Sequence, residues 1–285
     1  MNTETKAAVL ITRASSGIGK TTAIALDKLG FQVFAGVRKP EDGEMLKQLA
    51  PLSLTPLIID VTDRNTISAA CETVANAVGE QGLYGLVNNA GIFLGGAVEL
   101  IPLEDLRQQL EVNVIGQVAM IQAFLPLLRK ARGRVVNISS IAGILAFPFA
   151  GAYCASKFAL SALTDSLRVE LQPWKIPVVL IEPGIIDTPI WEKMLNFTDQ
   201  LTQKLPPKTL ELYSSSLEKV KSATLKAASN GIAPEQVAKV VALALTAQKP
   251  KTRYLVGPDA YLSASLNFLP DRMRDWLFAK PLGLR

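Results

Sequence analysis

Along the chain, short apolar runs alternate with longer stretches in which apolar positions recur every three or four residues. The runs at 7–12, 32–37, 57–60, 83–87, 134–139 and 177–181 have the length and β-branched content of buried strands, and 253–256 is a possible seventh. Between them, residues 20–29, 67–78 and 103–129 carry helical spacing, as does a segment opened by Tyr153 and ended by Pro173. The longest places Leu103, Leu106, Leu110, Val114, Ile121 and Leu125 on one side, with Glu104 and Asp105 in its first turn. The segment from Tyr153 is apolar on two sides, Ala155, Ala159, Leu163, Leu167 and Leu171 on one and Phe158, Ala162 and Val169 on another. Such a helix predicts burial against the sheet and against a second subunit or cap. Strands alternating with helices predict an α/β fold: one domain over 1–285, a doubly wound parallel sheet of about seven strands. A long insertion at about 189–233 and a tail at about 260–285 are appended to that pattern.

The junctions carry the polar information. Arg13-Ala14-Ser15-Ser16-Gly17-Ile18-Gly19 joins the first strand to a helix, so backbone N–H groups and the positive end of the helix would face an anion there. In a dinucleotide fold an acidic residue about 20 positions after the glycines takes a ribose 2′-hydroxyl, and a basic one a 2′-phosphate. No carboxylate stands there and Arg38 does, which favours NADP(H) over NAD unless Arg38 is only a solvated strand end. The fourth strand ends in Asn88-Asn89-Ala90-Gly91, suited to a ligand at the sheet edge or to an ordinary turn. Asn113, in mid-helix, either faces solvent or is held for a polar task.

Composition narrows the chemistry. The chain has 285 residues, 49% hydrophobic and 6% aromatic, which suits an aliphatic core. Its net charge of +5 comes from scattered Lys and Arg, so no nucleic-acid surface is expected, while an anionic cofactor is. Cys71 and Cys154 need not pair, which fits a reducing cytoplasm, and the N-terminal apolar run is too short for a signal or a membrane span. With no histidine present, no metal site is expected and any acid or base must be Tyr, Lys, Ser, Asp or Glu.

Tyr153 and Lys157 are one helical turn apart, just after Ser139 and Ser140 at a strand end. An ammonium within ~4–6 Å lowers a phenol's pKa, and a serine hydroxyl can hold the substrate oxygen that the phenol protonates. The trio suits hydride transfer at a carbinol or carbonyl carbon. Alone, Tyr-x-x-x-Lys arises by chance in about one such chain in three, as a half-buried Tyr above a solvated Lys.

Taken together in one order, these elements resemble the short-chain dehydrogenase/reductase family over nearly the whole length. Thr12, Gly17 and Gly19 are similar to its Thr-Gly-x-x-x-Gly-x-Gly turn, Asp60 to its adenine-contacting Asp, and residues 88–91 to its Asn-Asn-Ala-Gly element. Asn113, Ser140, Tyr153 and Lys157 match its catalytic tetrad, and Pro183-Gly184 with Thr188 its segment beside the nicotinamide. The resemblance implies a Rossmann-type fold, NADP (NADPH) or NAD as cofactor, and a homodimer or homotetramer. It implies cofactor contacts at Thr12, Arg13, Ser15, Ser16, Gly17, Ile18, Gly19, Arg38, Asp60, Val61, Asn88, Ala90, Gly91, Tyr153, Lys157, Pro183, Gly184, Ile186 and Thr188. By the same resemblance Tyr153 is the acid/base, Lys157 depresses its pKa and holds the ribose, Ser140 orients the substrate oxygen, and Asn113 keeps a water in a proton relay. Arg13 departs from the pattern, standing where the family has its first glycine; it either crowds the turn or reaches the 2′-phosphate beside Arg38.

The insertion then resembles a substrate lid. Trp191, Met194, Leu195, Phe197 and Leu201, with Phe147 and Phe149, imply a large hydrophobic alcohol or carbonyl of the retinoid or steroid kind, unless they only pack the lid. In the tail, Phe268, Trp276 and Phe278 among Arg272, Arg274 and Lys280 suit either a membrane surface or docking on the protein itself. A non-catalytic dinucleotide sensor and a lipid-surface binder are the competing functions.

Overall fold

A computed structural model describes residues 6–50 and 53–284; Met1–Thr5 of the N-terminal stretch and Arg285 of the tail lie outside them. The strands are β1 (Ala8–Ile11), β2 (Gln32–Val37), β3 (Leu54–Ile58), β4 (Gly85–Asn88), β5 (Arg134–Ile138), β6 (Val178–Pro183) and β7 (Arg253–Val256). All pair in parallel in the order β3-β2-β1-β4-β5-β6-β7. Successive residues of each strand face opposite ways, so the sheet has two cores. Leu10, Phe34, Leu86 and Val135 pack on one face with Met120 and Phe124; Val9, Ile11, Val87 and Val136 pack on the other with Val237, Val241 and Leu245.

Around the sheet lie α1 (Gly17–Lys28), α2 (Pro40–Leu49), α3 (Arg64–Val78), α4 (Leu103–Leu110), α5 (Gly116–Ala131), α6 (Gly151–Glu170) and α9 (Pro234–Thr246). Helices α7 (Ile190–Gln203) and α8 (Pro207–Ser229) form the insertion, and α10 (Pro258–Leu266) and α11 (Asp271–Leu282) the tail. The tail docks on its own domain: Phe278 meets Phe147 edge-on at 5.6 Å, and Ser216 of α8 donates to the Leu282 carbonyl.

Several boundaries differ from the sequence pattern. β3 starts three residues earlier than expected because Asp27 accepts from the Ser53 amide at 2.7 Å and fixes the strand start. Helix α1 begins at Gly17 and α6 at Gly151, ahead of their apolar stripes. The expected single helix over 103–129 is interrupted by a π turn at Glu111–Ile115. From Leu103 to Ala131 the stretch is long and apolar enough to cross a membrane, but Met120, Phe124 and Leu128 are wholly buried in the protein core.

The order reverses at β1, whose neighbours are β2 and β4, and this opens a crevice at the strands' carboxyl ends. Thr12 bridges it: its hydroxyl accepts from the Asn89 and Ala90 amides, both at 2.9 Å.

Candidate active site

The glycine turn is shaped for close approach. Gly17 takes φ +53° and an added Cβ would sit 3.0 Å from Thr188 Cγ2; at Gly19 it would sit 2.2 Å from the Arg13 carbonyl oxygen. Arg13 itself adopts φ 53°, a left-handed backbone that costs a non-glycine residue about 1–2 kcal/mol. Asn89 holds the turn by donating to the Thr12 and Arg13 carbonyls at 3.0 and 3.2 Å. The turn therefore accepts Arg13 without losing its shape, and the arginine side chain faces two cavities.

One of these is a narrow cleft of about 90 Å³ between Arg13, Ser16, Gly17, Ile18, Asn89, Gly91, Tyr153, Lys157 and Thr188. The other, about 300 Å³, is lined by Arg13, Ser15, Ser16, Arg38, Lys39, Asp42 and Lys193. A cradle closed to Cβ atoms, a helix N-terminus and a cationic pocket at its outer end fit a phosphorylated dinucleotide. Lys39 and Lys193 were not legible as site residues; Lys193 comes from α7, far along the chain.

Among the predicted cofactor residues, Asn88 and Val61 have buried side chains. Asn88 is fully buried and its amide donates to Asn137 at 3.0 Å inside the sheet, so the cleft position belongs to Asn89 instead. Consecutive strand residues point to opposite sides, and only one of the two asparagines can face the ligand. Val61 has its side chain in the core against Gly116. The Asp60 carboxylate accepts from the Thr62 amide and hydroxyl at 2.9 and 2.7 Å, shaping the turn after β3. Pro183, Gly184, Ile186 and Thr188 line an apolar cavity beside Tyr153, Thr188 lines the narrow cleft as well, and Asp259 fixes their loop by accepting from the Ile185 amide at 2.6 Å. A Cβ on Gly184 would sit 2.1 Å from that carboxylate and would displace it from the Ile185 amide.

Asn113 is fully buried in the π turn. It clamps Ile92, accepting from its amide at 2.8 Å and donating to its carbonyl at 2.9 Å, and donates to Ser156 at 2.9 Å. Gln117 accompanies it, donating to the Ala90 and Val112 carbonyls at 2.6 and 3.0 Å. Of the two readings open for Asn113, the polar task holds: it fixes the loop that carries Gly91, whose added Cβ would lie 3.4 Å from Asn113 Oδ1 and 3.6 Å from Lys157 Nζ.

Ser140, Tyr153 and Lys157 converge as predicted. Ser140 accepts from the Ala142 amide at 3.2 Å at the end of β5. Lys157 is buried, donates to the Ile138 carbonyl at 3.0 Å and lies 5.7 Å from the Tyr153 ring centre. The Tyr153 ring stacks on Phe93 at 4.3 Å, and Phe93 meets Trp191 edge-on at 5.9 Å. Burial pushes the phenol up to about 12, against the smaller opposite pulls of Ser140 and Arg13. Lys157 is brought down to about 8, by burial first and then by Arg13. Desolvation thus sets the direction of the phenol's shift, and the charge that pulls against it is that of Arg13.

Beyond Tyr153 opens an apolar cavity of about 280 Å³, walled by Phe93, Phe147, Phe149, Ile186, Trp191, Met194, Leu217 and Val220, with Ser139 and Ser140 among its polar groups. The insertion helices α7 and α8 thus cover it. This cavity and the nucleotide cleft share Ile18, Ser139, Tyr153, Thr188 and Ile190 as a common wall.

Residues 7–198 match the family model for short chain dehydrogenases. The chain is 37% identical to Mus musculus retinol dehydrogenase 5, over 96% of its own length and 89% of that protein. It is 38% identical to an NADPH-dependent 3-dehydrocapnine reductase of Ornithobacterium rhinotracheale, over 96% of each. A Burkholderia cenocepacia short chain dehydrogenase solved in complex with NADP superposes with a TM-score of 0.72 at 26% identity, covering 97% of this chain and 98% of that one. The chain belongs to the short-chain dehydrogenase/reductase family of oxidoreductases.

Proposed function

We propose that this protein is an NADP(H)-dependent oxidoreductase interconverting a hydrophobic alcohol and its carbonyl. The observation that carries the proposal is the position of Tyr153 in the wall between a phosphate-ready cleft and an apolar chamber. The bound nicotinamide would supply or take the hydride; the protein's part is to hold, orient and protonate. Ser140 and Tyr153 would grip the substrate oxygen, with Tyr153 giving its proton in reduction and taking it back in oxidation. A phenol near 12 is protonated throughout the neutral range, which suits the reductive direction; oxidation would need the phenolate and so gain from higher pH. Lys157 and Asn113 would hold the cofactor side of the wall. Arg38 and Arg13 favour a 2′-phosphate, and a relative named for NADPH supports that preference. The aromatic and aliphatic chamber, with a relative named for retinol, supports a retinoid-, steroid- or lipid-like substrate. We place the protein in the cytoplasm as a homodimer or homotetramer, a reading supported by its free Cys71 and Cys154 and by exposed Phe158, Leu163 and Val169 along α6.

The test is NADPH oxidation, with NADH in parallel, against retinoid, steroid, aromatic and aliphatic carbonyls. Tyr153→Phe should lower turnover by roughly 10²–10⁴ while leaving dinucleotide affinity nearly unchanged. Near-normal turnover in that variant would remove Tyr153 from the mechanism.

A further inference from the structure

Three segments meet at the outer end of the nucleotide cleft. The glycine turn brings Arg13, Ser15 and Ser16, the β2–α2 junction brings Arg38, Lys39 and Asp42, and the covering helix α7 brings Lys193. Four cations thus face one carboxylate, and none of the four makes an ion pair among the described residues. Unpaired like charges in a shared concavity repel, and a dianion placed among them turns that repulsion into attraction. At Lys193 the repulsion is felt directly: burial first, then Arg13 and Arg38, disfavour its ammonium, with Asp42 and Glu192 opposing. Three of the cations, Arg13, Arg38 and Lys39, sit on the dinucleotide-binding frame. Lys193 alone belongs to the element that covers the apolar chamber.

We propose that Lys193 binds the 2′-phosphate of NADP(H) and thereby fastens α7 to the bound cofactor. This rests on the NADP(H) reading above. Because Trp191 and Met194 of the same helix wall the apolar chamber, the phosphate sets the substrate pocket as well as the cofactor's affinity. A nucleotide lacking the 2′-phosphate leaves α7 without that anchor. Lys193 is therefore a specificity-determining residue on both sides of the reaction, although it touches neither the hydride nor the substrate oxygen.

The experiment compares 2′,5′-ADP with 5′-ADP by calorimetry, and NADP+ with NAD+ by amide hydrogen exchange over residues 190–203. In the wild type, the 2′-phosphorylated ligands protect 190–203 beyond their unphosphorylated counterparts. Lys193→Met should weaken 2′,5′-ADP by about tenfold, leave 5′-ADP within about twofold and abolish the added protection, while Lys193→Arg keeps all three near wild type. In turnover, Lys193→Met should raise the substrate KM with NADPH and leave it unchanged with NADH. Unaltered 2′,5′-ADP binding in Lys193→Met, with binding lost in Arg38→Met, would overturn this inference and leave the NADP(H) reading standing. Unaltered binding in both variants would overturn the reading itself. Inorganic phosphate competing as strongly as 2′,5′-ADP would also overturn the inference, since the pocket would then hold a bare anion unconnected to the nucleotide.

Discussion

Lys157 and Tyr153 are both driven toward their neutral forms by burial, and the consequence for stability has opposite signs at the two residues. The lysine falls from 10.5 to about 8, so between those values the unfolded chain binds more protons than the native one and stability rises with pH. For the tyrosine, which rises from 10 to about 12, the native state keeps its proton longer and stability falls above pH 10. Wild type should therefore gain more stability than Lys157→Met between pH 8 and pH 10, read as the shift in urea midpoint; equal gains would mean that Lys157 is not desolvated. At this scale the site was largely legible. Gly17, Gly19, Ser140, Tyr153 and Lys157 act through spacings within one element or one junction, which sequence records directly. Asn89 was missed because adjacent strand-end residues differ only in the side they face. Lys193 was missed because nothing local connects it to Arg38.

Among the elements, the π turn at Glu111–Ile115 has the clearest task. It brings Asn113 onto Ile92 and Gln117 onto Ala90 and Val112, so that two side chains support the floor of the nucleotide cleft. Gln117→Ala should leave the buried Ala90 carbonyl without its side-chain donor and cost about 1–3 kcal/mol, seen as a lower urea midpoint, with weaker dinucleotide binding measured alongside. Wild-type values for both would show that the brace is dispensable. The turn was invisible in the apolar pattern because Val114 and Ile121 keep a spacing of seven across it. Helix α2 escaped for another reason: Leu46 is its one buried large side chain, while Met45 and Leu49 are exposed, so no stripe forms. Strand β3, at the sheet edge, was misplaced because its apolar run continues past the last paired residue.

For the molecule as a whole, the sheet and its order of elements followed from alternation, whereas the polar ties that close the sheet did not. Arg253 of β7 reaches Glu182 of β6 at 2.8 Å and Asp165 of α6 at 2.5 Å. The Glu182 side chain is only 1% exposed, and its pKa is raised by burial against the pull of Arg253. Arg253→Met strands that carboxylate and should destabilise the fold by about 3 kcal/mol at neutral pH. The deficit should shrink on acidification, because protonated Glu182 needs no counter-charge; a pH-independent deficit in denaturant titrations would point to lost packing instead. No periodicity announces such a tie, since each partner lies on a different element.

The wall shared by the apolar chamber and the nucleotide cleft has a consequence for inhibition. Two compartments joined at Tyr153 invite a bisubstrate ligand, an aliphatic or polyene group tethered through the opening to a nicotinamide nucleoside. Each half would raise the effective concentration of the other, so the affinities would tend to multiply, provided that the tether spans the wall without displacing the tyrosine ring.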